Sequence, residues 1–81
     1  MRVDLDIDLA ISRVKFSSRS TKDFEMFMMI LEGMTDHEIG ERLAIRYNAL
    51  RRHRERLLAR NNCENMKELI SLFYHGEQKS Q

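Results

Sequence analysis

The chain has 81 residues, a formal net charge of +1 and no proline. That length allows one domain with a thin core, and 42% hydrophobic with 33% charged residues excludes a disordered polar chain. Its single cysteine, Cys63, excludes an internal disulfide and leaves no cysteine pair for zinc, which fits a reducing compartment.

Residues 1–19 read as an N-terminal arm. Val3, Leu5, Ile7, Leu9 and Ile11 alternate with Arg2, Asp4, Asp6, Asp8 and Ala10, the period of a half-exposed strand. Val3, Ile7, Ile11 and Val14 also fall at helical spacing, so strand and helix both stay open. A strand here has no partner in its own chain and is expected to pair with a second copy. The acidic start, where an export signal carries basic residues, predicts a cytoplasmic protein, and no apolar run reaches membrane-spanning length.

The compact unit is expected over residues 20–76. Ser20 with Asp23 resembles a capping box and predicts a helix start at Ser20, ended by Gly33. Thr35 with Glu38 predicts a second, short helix, with Ile39 and Leu43 as its buried pair and Gly40 allowing close approach of another helix. A third helix is expected over about 46–61, with Leu50, Leu57 and Leu58 turned inward. Asn48, Arg51, Arg52 and Glu55 fall on its opposite face, His53 lies at the edge, and Asn61-Asn62 ends it. A fourth helix covers about 64–75, with Met66, Leu69, Ile70 and Phe73 on one face, before a polar tail at 77–81.

Charge is unevenly spread. Residues 1–43 sum to −3 and residues 44–81 to +4. Six arginines lie between 46 and 60, opposed there only by Glu55. A solvated helix face normally mixes signs, so this bias points to an anionic partner. A short helix, a tight turn and a longer basic helix make a helix-turn-helix, whose second helix enters the major groove of DNA. Gly40, Ala44 and Leu50 supply the small, small and aliphatic residues that its crossing, turn and anchor require.

Residues 20–76 resemble the LuxR-type (GerE-like) helix-turn-helix domain. The resemblance is carried by Ser20-Thr21-Lys22-Asp23, Gly33, Glu38-Ile39-Gly40, Leu43, Ala49-Leu50-Arg51-Arg52-His53 and the closing helix at Asn65 to Leu72. It implies an all-α, four-helix domain and a bacterial transcription regulator that binds double-stranded DNA as a homodimer. Base contacts would fall to Arg51, Arg52 and Glu55, and phosphate contacts to Arg46, Tyr47, Asn48 and Arg56. Dimerisation through the last helix would use Met66, Leu69, Leu72 and Tyr74, with Val3, Leu5 and Ile7 of the arm as a second candidate surface. The chain departs from the family at Arg46, where a capping Ser or Thr is usual, at Ala49 for a Thr, at Arg19 for a Leu before the first helix, and at Asn61 for a core Leu. These departures suggest a core that leans on the arm through Phe16.

Phe24 and Met28 lie at i and i+4 and form an extra apolar stripe. With Ala49 and the arm, that stripe motivates an alternative role as a modulator pairing with a larger regulator or with RNA polymerase. No phosphate loop, nucleophile-base pair or metal-ligand cluster stands out, so no enzyme activity, cofactor or metal is expected. His37 and His53 are expected to be structural.

Overall fold

The computed structural model describes residues 6–19 and 21–76. Those residues are all helical in their regular structure: α1 (Ile7–Ser12), α2 (Lys22–Leu31), α3 (Asp36–Leu43), α4 (Tyr47–Arg60) and α5 (Met66–His75). Helices α2, α3 and α4 pack on one another, and α1 packs on α5. One core joins them, built on Phe27, Phe73, Met26, Ile39, Leu50, Leu57 and Leu69.

The described part of the arm is a helix, not a strand. Asp6 caps it, its carboxylate accepting from Leu9 N–H at 3.1 Å. Ala10 within it and Val14 just beyond its end enter the core at 0% and 4% exposure. Ala10 belongs to the polar half of the alternating pattern, yet it is the residue that enters the core. Its methyl lets the α1 backbone lie close to α5, while Ile7 and Leu9 remain about half exposed. Val3 and Leu5, the other arm residues named for a dimer surface, lie outside the described residues, as does the tail at 77–81.

After α1 the chain runs back over the bundle. Phe16 sets its ring edge against Phe24 (centroids 5.3 Å apart) and leans on Phe27 (5.8 Å), which in turn meets Phe73 at 5.4 Å. The apolar stripe of α2 is thus covered at Phe24 by the chain's own arm. Asn61, buried at the end of α4, holds the same segment. Its side-chain oxygen accepts from Lys15 N–H (2.7 Å), and its amide donates to Lys15 C=O (3.0 Å) and Leu57 C=O (2.9 Å). Arg13 adds a third tie, donating to Phe73 C=O near the C-terminus of α5 (3.0 Å). The position that lacks a core Leu has become a polar latch for the arm.

Three of the five described helix starts carry a side-chain cap, Asp6 for α1, Thr35 for α3 and Asn65 for α5. Thr35 and Glu38 form the expected box, with Glu38 N–H donating to Thr35 Oγ1 (3.2 Å) and Thr35 N–H to Glu38 Oε1 (2.8 Å). Asn65 caps α5 by accepting from Glu68 N–H at 2.9 Å. The start of α2 differs from expectation. Thr21 stands at the cap without a side-chain cap bond, Asp23 is buried with an oxygen on His53 of α4, and Ser20, the other member of the expected box, lies outside the described residues.

The α3–α4 connection is tight. Ala44 closes α3 in the left-handed region at φ 57°, and Ile45 N–H donates to Gly40 C=O at 3.0 Å. A Cβ on Gly40 would stand 3.2 Å from Ile45 C=O. What comes close to Gly40 is the turn itself rather than a neighbouring helix. Gly33 (φ 86°) and Asn62 (φ 57°) take the same backbone region after α2 and α4.

Candidate nucleic-acid interface

Helix α4 is anchored from within and from both flanks. Leu50 and Leu57 are fully buried, and Leu58 is half-buried against the core. On the α2 flank, His53 Nδ1 donates to Asp23 Oδ1 at 2.9 Å, with side chains 18% and 4% exposed. The direction is settled by chemistry, since an ionised carboxylate only accepts. Arg56 Nη2 lies 3.4 Å from the same nitrogen, but a nitrogen whose proton points at Asp23 has no lone pair for it. On the α3 flank, Arg54 pairs with Asp36 at the first residue of α3. These ties fix both the rotation and the tilt of α4, which is what a helix needs if its outer side chains are to meet fixed positions on a partner.

The outer face carries Asn48, Arg51, Arg52, Glu55 and Arg56, all exposed, with Arg46 and Tyr47 exposed at its start. All seven residues named for base or phosphate contact are therefore accessible, with Tyr47 turned to the α3 side of the helix and Arg56 to the arm side. Arg51 and Glu55 form an i,i+4 pair at 3.5 Å, each more than half exposed, and such a pair is readily exchanged for other partners. The start of α4 has no side-chain cap and no acidic residue in its first turn. Its leading N–H groups thus remain open to an external acceptor.

Helix α3 has a different character. Glu38, Glu41 and Asp36 sit along it, and His37 Nε2 approaches Glu41 Oε2 at 3.3 Å. Thr35 donors hold the Glu38 carboxyl below its ordinary value, keeping it ionised. A hollow of about 500 Å³ between α3 and α4 is lined by Asp36, His37, Gly40, Glu41, Ile45 and Tyr47, and its two carboxylates disfavour an anion. The cationic surface therefore runs along the outer face of α4 and its arm-side flank.

The residues named for a dimer surface separate. Leu69 is fully buried inside the protomer, packed into the shared core, and so is not available to a second copy. Met66 and Leu72 are half-buried against the same core. Tyr74, at 43%, and Ile7, at 46%, are exposed, and Leu9 joins them at 51%. Sequence reasoning passed over Leu9, whose exposure follows from the helical form of the arm.

Among the described residues there is no group of three or more His, Cys, Asp or Glu set to hold a metal, and no helix long and apolar enough to cross a membrane. Comparison of the chain with known protein families, curated proteins and solved structures finds no match.

Proposed function

We propose that this protein is a sequence-specific DNA-binding regulator of LuxR type that places α4 in the major groove. The observation that carries the reading is the exposed arginine-rich face of a helix held on three sides by its own fold. Arg51 and Arg52 suit bidentate contacts to guanine, and Glu55 suits acceptance from cytosine. Releasing the Arg51–Glu55 pair costs little at a surface, so both are available to bases. Arg46, Asn48 and Arg56 flank them as phosphate contacts, and Tyr47, beside the carboxylate-lined hollow, is the weakest of the four named for that role. The uncapped start of α4 fits the same reading, since a phosphate oxygen there would accept from amides that no side chain satisfies.

The active form is a homodimer, two copies presenting α4 to successive major grooves about 34 Å apart. Tyr74, Ile7 and Leu9, on the packed pair α1 and α5, are the exposed apolar residues that favour that pairing. The same residues favour the second reading, a modulator that pairs with a larger regulator or with RNA polymerase.

Selection of bound sites from a random duplex pool tests the proposal. The expected product is a two-fold symmetric site, with Arg51→Ala or Arg52→Ala each costing ~1–3 kcal/mol and relaxing preference at one position. If no duplex is enriched and a larger regulator co-purifies instead, the modulator reading replaces it.

A further inference from the structure

The arginines of this chain fall into two groups by their partners. Arg51 faces Glu55 and Arg54 pairs with Asp36. Arg19, Arg56 and Arg60 have no carboxylate partner among the described residues, yet they converge. With Ser17, Asp23 and His53 they line one cleft of about 410 Å³ between the arm and the arm-side flank of α4. His53, Arg56 and Arg60 fall at i, i+3 and i+7, a single helical stripe, and the latched arm brings Arg19 to face it.

Three guanidiniums gathered around a hollow repel one another, and among the described residues none of the three is paired with a carboxylate. Asp23, the one carboxylate among the described residues that line the cleft, is 4% exposed and turns an oxygen to His53. It forms the floor and leaves the mouth cationic. Ser17 Oγ accepts from Arg19 N–H at 3.2 Å, which leaves its hydroxyl proton to donate. Guanidinium forks and a hydroxyl around a half-open polar cleft match the tetrahedral oxygens of a phosphate group.

The geometry points to a phosphate seat in this cleft, formed by Arg19 of the arm with Arg56 and Arg60 of α4, whose occupant is a backbone phosphate of the strand bordering the groove. The choice of DNA as source rests on the functional reading above. It is supported by continuity, because Arg56 belongs both to this cleft and to the shallow surface it shares with Arg52, Glu55 and Ala59. The arm thus becomes part of the binding surface. Asn61, by gripping Lys15, is a positioning residue for Arg19.

The test is duplex binding by the full chain and by an Arg19→Ala, Arg60→Ala double variant across a salt series. Both side chains are exposed and outside the base-reading set, so the fold is expected to hold, with circular dichroism as the control. The expected result is a loss of roughly tenfold in affinity, equal for the selected site and for random duplex, with the slope of log affinity against log salt reduced by about 0.9 per phosphate lost. Unchanged affinity and slope in the variant, with the parent still binding its site, overturn the seat and leave the functional reading standing. If the parent binds no duplex, that reading falls, and a pyrophosphate titration followed by the arginine side-chain NMR signals decides the cleft. Saturable shifts at Arg19, Arg56 and Arg60 assign it to a free phosphate ligand, and their absence overturns it.

Discussion

Asn61 offers the sharpest test of how this fold is held. Replacing it with Leu restores an apolar side chain of similar size but strands Lys15 N–H and Lys15 C=O, which Asn61 satisfies at 2.7 and 3.0 Å. A stranded buried polar group costs ~1–3 kcal/mol, and because Lys15 itself is exposed, water recovers part of that for at least one of the two. The expected net loss for Asn61→Leu is ~1–3 kcal/mol, against a total stability of roughly 4–12 kcal/mol for a chain of this length. At ~4–8 °C per kcal/mol, thermal unfolding followed by circular dichroism should shift down by about 4–24 °C. Asn61→Asp should be worse at neutral pH, because its second oxygen would face two carbonyls where the amide now donates. Amide exchange supplies a local readout, since protection at Lys15 should fall in Asn61→Leu, which removes the acceptor of its N–H, and less in Asn61→Asp, which keeps one. An Asn61→Leu protein as stable as the parent, within about 0.5 kcal/mol, with Lys15 still protected, would refute the latch.

Three further outcomes follow from the same contacts. His53→Ala leaves the buried Asp23 carboxylate without its donor and should destabilise by ~2–4 kcal/mol in urea unfolding, whereas His53→Gln, which keeps a donor, should lose clearly less. Ala44→Gly relieves a left-handed Ala at φ 57° and should gain about 0.5–1 kcal/mol, read as a higher urea midpoint at unchanged slope. Glu38 bears on pH. Its carboxyl sits below its ordinary 4.5, first because Thr35 N–H donates to it. A lowered folded value means that its contribution is present above the unfolded value and is lost as pH falls through the folded one. Thr35→Ala removes only the side-chain half of the box and should cost about 1 kcal/mol at neutral pH, whereas Glu38→Gln, which removes the titrating group, should flatten the acid limb of the stability profile.

Much of α3 and α4 is legible in the chain because it depends on neighbours three or four residues apart. The Thr35–Glu38 box is a local contact, and it sets the start of α3 wherever that helix packs. The 3.6-residue period separates Leu50 and Leu57 from Arg51, Arg52 and Glu55 before any partner is known. The arm is different, since its apolar residues satisfy a period of two and nearly satisfy 3.6. Packing on α5 decides it, through Ala10, which hydropathy alone does not mark as core. Asp23 suits a local cap with Ser20, yet it is committed to His53, thirty residues away. Asn61 reads as a missing core Leu and is in fact the grip on Lys15, forty-six residues away. The convergence of Arg19 with Arg56 and Arg60 likewise exists only once the arm is latched. Short-range order is written in propensity and period, whereas these pairings arise when folding brings distant segments to one place, where a polar group that leaves water must find whatever partner stands there.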